Sequence, residues 1–164
     1  MTVSPAKPDL VPLADAGVSD ALLQRFLGYR MKRAFSVVQA DLAETLRPFD
    51  LRMTSYTALV LIMDNPGLSQ SQLAAVMDIE RPNLVVLVDE LEGRELIVRE
   101  RVPTDRRTYA LNVTLAGRRL CEKAMAEVER HEERMFSGLS PEMRATVAEA
   151  MTVIRHGGDG GGSK

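Results

Sequence analysis

The sequence predicts a mainly α-helical fold that carries one small β-hairpin. Apolar residues recur at helical spacing through most of the 164 residues, and Ser or Thr stands at several positions suited to a helix N-cap. β-branched residues gather instead on both sides of a single turn near residue 103. Aromatic residues make up only 4% of the chain, so the core must consist mainly of aliphatic side chains and Met, which suits helices.

The first third of the chain predicts a loose arm followed by two helices. Three prolines interrupt residues 1–18, which therefore form no regular element. A long helix, capped by Ser19 or Asp20, is expected to run to about Leu46, because its apolar residues keep helical spacing. A second helix follows over about residues 53–63 and stops at an Asn-Pro-Gly turn.

Two helices separated by a tight turn are predicted in the middle of the sequence. The first begins at a capping box, in which the Ser69 hydroxyl accepts from the backbone N–H of Gln72 and the Gln72 side chain reaches back. The chain turns at residues 78–80, and the second helix covers about residues 81–92 with Pro82 in its first turn. The buried stripe of this second helix is expected to comprise Leu84, Leu87, Val88 and Leu91.

The segment that follows predicts a β-hairpin with a basic tip. β-branched and aromatic residues occupy 97–102 and 108–113, and the turn between them carries Asp105, Arg106 and Arg107. Arginine suits phosphate oxygens and the narrow minor groove, although two arginines at a solvated tip are also an ordinary surface feature. Helix, tight turn, helix and basic hairpin together predict a winged helix-turn-helix, whose second helix enters the major groove of DNA.

This arrangement predicts which side chains would contact DNA. Arg81 and Asn83 have the donors to bind base edges or phosphates, whereas Val85 and Val86 can only contact thymine methyl groups. The expected DNA-binding residues are Ser69, Ser71, Gln72, Arg81, Pro82, Asn83, Val85, Val86, Arg101, Asp105, Arg106 and Arg107.

Two further helices are predicted after the hairpin. Thr114 caps one that runs to about Phe136, and Ser140 starts the last, which carries Met143, Val147, Met151 and Ile154 on one face. The central unit is too small to bury the apolar stripes of the terminal helices, so a homodimer is expected, with a monomeric bundle as the alternative. The expected divisions are an arm (1–18), a dimerisation helix (19–46), the winged helix-turn-helix (47–114), dimerisation helices (115–156) and a Gly-rich flexible tail (157–164).

The sequence resembles the MarR family of bacterial transcriptional regulators from about residue 22 to about residue 154. The stretches that carry the resemblance are PGLSQSQLAAVMDIERPNLVVLVDELE, the DRR at residues 105–107, and LNVTLAGRRL from Leu111. The resemblance implies an obligate homodimer that represses from a pseudo-palindromic operator and is released by a small ligand, often an aromatic acid or another phenolic compound. FLGYRMKRAF and IERPNLV also look similar to members that control aromatic catabolism, some of which sense a coenzyme A thioester.

Several residues depart from the common family pattern. Asp78 stands where glycine is frequent, Glu80 where Ser or Thr usually caps the helix, and Glu95 where a glycine usually precedes the wing. The exposed positions of the second helix hold Val85, Val86 and Glu90 where the family usually has Thr and Arg. These departures bear on the base contacts rather than on the fold.

The resemblance also predicts an effector site on the first two helices. Tyrosine beside arginine suits a carboxylated aromatic ligand, because the ring can stack and the guanidinium can pair with the carboxylate. The alternative to an effector site is an ordinary solvated basic face, with Tyr and Met in the core. The expected ligand-binding residues are Phe26, Tyr29, Arg30, Arg33, Met53 and Tyr56.

Charge is distributed unevenly along a chain whose formal net charge is −2. Residues 94–107 hold five arginines against three acids, a local charge of +2, whereas residues 78–92 hold one arginine against five acids, a local charge of −4. The wing is therefore basic and the second helix acidic. Such a chain should not bind DNA strongly and indiscriminately, and a winged-helix module that binds another protein is the alternative function.

Other functions find weaker support in the sequence. Cys121 suggests a redox regulator, but the neighbouring acids would raise its pKa; His131 and His156 are expected to be exposed and to bind no metal. Phosphate loops, nucleophile elbows and metal-spaced clusters do not occur, so we expect neither an enzyme nor a cofactor. A single Cys, no long apolar run and no signal-peptide pattern predict a cytoplasmic protein outside the membrane.

Overall fold

The structure, a computed structural model, describes residues 17–102 and 105–157, with side chains described for all of these except residues 102 and 105–108. It is mainly helical with a small antiparallel sheet, which confirms the predicted fold class. The helices are α1 (Leu27–Leu46), α2 (Met53–Asp64), α3 (Gln70–Met77), α4 (Arg81–Gly93), α5 (Leu115–Met135) and α6 (Pro141–Arg155). The strands are β1 (Leu68–Ser69), β2 (Ile97–Val102) and β3 (Asp105–Val113). The described residues fall into two units that divide within α1, between Gln39 and Ala40.

The first helix begins later than the sequence predicts. A 3-10 turn covers Leu23–Arg25, and Phe26 is extended at φ −98° and ψ 122°, which separates the turn from α1. Asp20 does not cap a helix here, because its carboxylate accepts from the Tyr29 phenol at 2.7 Å and from the Gln24 amide at 2.8 Å. The prediction of one continuous helix from residue 19 or 20 is therefore wrong over its first turns.

The core of the second unit is formed where α2, α3 and α4 pack on the sheet. Each of these helices presents its apolar stripe inward, and the stripe predicted for α4 is buried as expected. The buried cluster comprises Ala58, Leu59, Ile62, Leu73, Ala74, Leu84, Leu87, Val88, Leu91, Leu96, Ile97, Leu111 and Cys121. This core holds α4 rigidly, which is what a helix that reads another molecule requires.

The sheet has the order β1-β3-β2, and its first strand was not predicted. Leu68 pairs with Leu111, so the residues just before α3 extend the hairpin into a third strand. β3 already begins at Asp105, which pairs with Val102, whereas the sequence had assigned residues 105–107 to the turn. A register shift between Arg101 and Val102 marks a bulge close to the hairpin tip.

A tight junction connects the sheet to α5. The Thr114 hydroxyl accepts from the backbone N–H of Gly117 at 2.9 Å, as predicted for an N-cap, and lies 2.7 Å from the carbonyl oxygen of Glu95. Gly117 is buried so closely against Leu96 that an added Cβ would lie 1.9 Å from the Leu96 carbonyl oxygen. The glycine is therefore required here by the close approach of two backbones.

The last helix, α6, is exposed along its whole length among the described residues. Ser140 caps it as predicted, accepting from the backbone N–H of Met143 at 3.3 Å. None of the residues from Pro141 to Arg155 is buried. The predicted apolar face is present and fully open, with Met143, Val147, Met151 and Ile154 each between 43% and 55% exposed. Among the described residues, no helix combines the length and the apolar character needed to cross a membrane.

Candidate DNA-binding surface and effector residues

The turn between α3 and α4 forms despite its departures from the family pattern. Asp78 adopts the left-handed conformation at φ 51° and ψ 47°, which Asp tolerates better than most residues. The capping box at Ser69 is present as predicted, with the Ser69 hydroxyl 3.2 Å from the Gln72 backbone nitrogen. Within the described part of the chain, the Glu80 side chain caps no backbone N–H, which confirms it as a poor cap for α4.

One face of α4 is open and carries the residues expected to read bases. Arg81, Pro82 and Asn83 are exposed in its first turn. Val85 is 43% exposed and Val86 66% exposed, although valine is usually buried. Two adjacent exposed valines on a rigid helix form an apolar surface that is available to a partner.

The expected polar contacts on α3 are already engaged within the chain. Arg81 Nη2 donates to Ser71 Oγ at 2.9 Å, which joins the start of α4 to the first turn of α3. Ser69 and Gln72 satisfy each other in the capping box. A cleft of about 350 Å³ opens beside the Arg81–Ser71 pair, and residues of α3, the turn and α4 line it.

The acidic residues of α4 are paired with arginines that the sequence analysis did not single out. Arg99 of β2 contacts Asp89 through Nη2, and its Nε lies 3.0 Å from Glu92 Oε2, although not aligned for a hydrogen bond. Arg52, at the start of α2, contacts the Glu90 carboxylate. These pairs join residues of different elements, so local charge sums could not reveal them.

The wing tip belongs only in part to the described structure. Arg101 is exposed on β2, in register with Tyr109 and next to the bulge. Asp105, Arg106 and Arg107 begin β3, but their side chains lie outside the described residues, as do Pro103 and Thr104 entirely. Their predicted DNA contacts remain predictions.

Two of the expected effector residues on the first helix have partners within their own unit. The Tyr29 phenol donates to Asp20, and this hydrogen bond raises the pKa of Tyr29 and lowers that of Asp20. Arg30 Nε donates to the carbonyl oxygen of Gln24 at 2.5 Å. Phe26 is exposed and Arg33 is half-exposed. The Asp20–Gln24 segment therefore occupies polar groups of α1 that an anionic ligand would use.

The two expected effector residues of α2 belong to the second unit. Met53 opens α2 and is half-buried. Tyr56 packs beside a small cluster made by Leu46, Leu51 and Ala124, and burial raises the pKa of its phenol. Tyr56 is thus partly a core residue, as the alternative interpretation of the sequence predicted.

Of the remaining reactive side chains, Cys121 and His131 are buried and His156 is exposed. Cys121 is fully buried, and this burial raises the pKa of its thiol to about 11, which disfavours the redox alternative. His131 was expected to be exposed, but it is buried and its Nδ1 lies 2.6 Å from Asp41 Oδ2, because the end of α1 supplies a carboxylate distant in sequence. His156 is exposed, with Nδ1 2.8 Å from the Thr152 carbonyl oxygen. Among the described residues, no group of three potential ligands could hold a metal ion.

Comparison with known proteins extends the likeness over most of the chain. Residues 49–108 match a family model described as the MarR family. A Thauera aromatica protein named as a putative transcriptional regulatory protein for the hcr operon is 33% identical over 144 residues, covering 87% of this chain and 84% of that protein. The transcriptional repressor CouR bound to a 23-mer DNA duplex is 35% identical with a TM-score of 0.81, over 84% of this chain and 98% of that one. CouR bound to p-coumaroyl-CoA is 33% identical with a TM-score of 0.77, over 84% and 97%.

Proposed function

We propose that this chain, which belongs to the MarR family of transcriptional regulators, is a dimeric repressor that an aromatic effector releases from DNA. The observation that carries the proposal is the open face of α4, where Asn83, Val85 and Val86 stand clear of a fully buried apolar stripe. CouR, which has been solved on a DNA duplex, shares this fold over nearly its whole length. The family and these relatives are regulators of transcription, and we propose neither catalysis nor a cofactor for this chain. Its place of action is then the cytoplasm, where bacterial operators lie.

The proposed DNA contacts divide between bases and backbone. Arg81 and Asn83 contact base edges or nearby phosphates, and Val85 and Val86 contact thymine methyl groups. Ser69, Ser71 and Gln72 place the N-terminus of α3 near a phosphate. Arg101 and the wing residues Asp105, Arg106 and Arg107 contact the backbone or the minor groove.

A dimer completes this proposal. The open apolar face of α6 is long enough to pack on a second copy, and members of the family are dimeric. A two-fold dimer places two α4 helices about one helical turn of DNA apart, roughly 34 Å, which matches a pseudo-palindromic site.

The proposed effector is an aromatic acid or its coenzyme A thioester. CouR has been solved with p-coumaroyl-CoA, and the first helix of this chain offers the Tyr29 phenol for a ring and two guanidinium groups, Arg30 and Arg33, for an anion. The proposed contacts are Phe26, Tyr29, Arg30 and Arg33 of the first unit and Met53 and Tyr56 of the second. To release DNA, the effector must bind the DNA-incompetent dimer better than the DNA-bound one.

Selection of duplexes from a random library, followed by gel shift, tests the DNA-binding half of the proposal. We expect one pseudo-palindrome to emerge. Asn83→Ala should then relax preference at one half-site position by about 1–3 kcal/mol. Arg106→Ala combined with Arg107→Ala should weaken binding by orders of magnitude and reduce the salt dependence. If the wild-type protein enriches no sequence, the alternative of a protein-interaction module becomes the better account.

Addition of p-coumaroyl-CoA, and of free benzoates and hydroxycinnamates, to the selected complex tests the effector half. We expect at least one compound to release the DNA and to bind below millimolar concentration in calorimetry. Arg30→Ala and Arg33→Ala should weaken effector binding and leave the gel shift intact. Failure of the whole panel, or unchanged effector affinity in both variants, would rule out an anionic aromatic effector at this place.

A further inference from the structure

The C-terminal half of α4 carries carboxylates that would lie close to DNA phosphates in the proposed complex. Asp89 is exposed and lies one turn from both Val85 and Val86, so it shares their face of the helix. Glu90 and Glu92 follow within the same turn, and the whole segment 78–92 carries a local charge of −4. Unpaired carboxylates so near a phosphate backbone would oppose the counterion release that drives DNA binding.

The guanidinium of Arg99 pairs with two of these carboxylates, those of Asp89 and Glu92. It contacts Asp89, lies 3.0 Å from Glu92, and the Arg99 backbone N–H donates to Glu92 Oε1 at 3.3 Å. The Arg99 side chain is only 21% exposed, so little of it is left to meet another molecule. Its position on β2, beside α4 rather than at the wing tip, fixes it to this pairing.

The third carboxylate of α4 is paired from a different element. Arg52 contacts Glu90, whose side chain is 30% exposed, while Arg52 itself is 71% exposed. Arg94, at the C-cap of α4, has other partners: it donates to the carbonyl oxygens of Phe49 and Asp50 at 3.0 and 2.6 Å. The acidic charge of α4 is thus balanced by Arg99 and Arg52, not by a residue of the helix itself.

We infer that Arg99 is a positioning residue for DNA binding, which acts by neutralising Asp89 and Glu92, and that Arg52 does the same for Glu90 to a smaller extent. This inference rests on the proposed DNA binding. An arginine that is committed to two carboxylates and mostly enclosed affects phosphates through those carboxylates, not by touching them. With its acids paired, α4 can approach the major groove on its apolar face without net repulsion.

Rescue of an arginine variant by removal of its acids tests this inference. Arg99→Gln should weaken binding to the selected duplex about ten-fold or more near 0.1 M salt, because it uncovers two negative charges per subunit. The triple variant Arg99→Gln, Asp89→Asn, Glu92→Gln should return to within about three-fold of the wild type. If the triple variant stays as weak as Arg99→Gln, Arg99 contacts phosphate directly or only supports the fold, and the inference is wrong.

The exposed pair provides a second test that does not depend on the stability of the core. Arg52→Gln should weaken binding only about two- to five-fold, because exposed ion pairs are weak. The double variant Arg52→Gln, Glu90→Gln should restore binding, because it also removes the carboxylate left unpaired. Arg130→Gln, which removes a similar exposed pair with Glu127 on α5, is the matched control and should change nothing. No rescue in the Glu90 double variant would count against the inference as well.

Retention on heparin separates this inference from the proposed function. Heparin is a polyanion without a base sequence, so it tests the charge effect even if no operator is selected. The arginine variant should elute at a lower salt concentration than the wild type, and the rescued variant should elute near the wild-type salt concentration. A missing operator with the expected heparin order would refute only the proposed function. A selected operator with equal elution of all three proteins, and no rescue in the gel shift, would refute only the neutralising role of Arg99.

Discussion

The winged helix-turn-helix and the closing helix α6 differ most in how their apolar residues are covered. Leu73, Leu84 and Leu91 of α3 and α4 have almost no surface exposed, whereas Val147 and Met151 of α6 remain about half exposed. The first set packs against partners in the same chain, and the second faces solvent in a single chain. The winged helix-turn-helix, called the reading unit below, therefore has its core within one chain, whereas we expect the apolar face of α6 to be covered by a second copy in the proposed dimer.

The largest effect should come from the junction between the reading unit and α5, where Gly117 lies against Leu96 within one chain. Gly117→Ala should lower the free energy of unfolding by about 3 kcal/mol or more, because the new Cβ meets a backbone carbonyl that cannot move aside. Gly138→Ala is the matched control, since a Cβ there meets no atom within 4 Å. Chemical denaturation measures both, and equal stability of the two variants would show that α5 and Leu96 are not in contact.

A charge on α6 should break the dimer and leave the reading unit folded. Met151→Asp buries a carboxylate in the proposed interface, which costs several kcal/mol, so light scattering should report a mass near that of a single 18.1 kDa chain. Glu149→Gln, on the opposite face of α6, should remain a dimer. A Met151→Asp protein that keeps the dimer mass would mean that α6 lies outside the interface.

The first described residues sharpen the comparison, since Asp20 is hydrogen-bonded to Gln24 and Tyr29 whereas Leu22, Phe26 and Leu27 are exposed. Asp20→Asn weakens the contact that holds Tyr29, so p-coumaroyl-CoA should bind about three- to ten-fold more tightly if the effector competes for that phenol. The pKa of Tyr29 should also fall towards its ordinary value, which absorbance titration can follow. Ser19→Ala, in the same segment, should leave both quantities unchanged, and weaker effector binding in Asp20→Asn would make Asp20 a ligand contact instead.

The smallest effect should come from the turn between α4 and β2. Glu95 is held at φ 58°, in the left-handed region that favours glycine. Glu95→Gly should therefore raise the free energy of unfolding by about 0.5–1 kcal/mol, which chemical denaturation can measure. Gly93→Ala should add a similar amount, because Gly93 ends α4 without positive φ. A loss of stability in Glu95→Gly would show that the Glu95 side chain makes a contact worth more than the strain.

Local signals in the sequence predicted the reading unit well. The capping box at Ser69, the stripe of α4 and the left-handed Asp78 depend on neighbours within a few residues, and all three are present. The strand at Leu68–Ser69 escaped prediction because two residues hold no pattern, and it exists only through its pairing with β3.

Side-chain contacts between distant residues account for what the sequence did not predict. Asp20 accepts a hydrogen bond from Tyr29, nine residues away, and caps no helix, and the extended Phe26 delays the start of α1. Asp41 stands ninety residues before His131 and allows that histidine to be buried. Arg99 and Arg52 likewise pair with acidic residues of α4 and offset their charge. The proposed DNA and effector contacts depend on partners that one chain does not contain, so sequence and fold leave them as proposals.

The junction at Thr114 makes α5 a lever for the reading unit. Thr114 bonds both to the first turn of α5 and to the carbonyl oxygen of Glu95 just after α4, so that α5, α4 and the wing must turn together. α5 has 21 residues and is therefore about 31 Å long. A tilt of about 5° about its far end moves its first turn by roughly 3 Å, and in a symmetric dimer the distance between the two α4 helices changes by up to about twice that. In the proposed dimer, a tilt of a few degrees is thus enough to move both α4 helices out of register with successive turns of DNA.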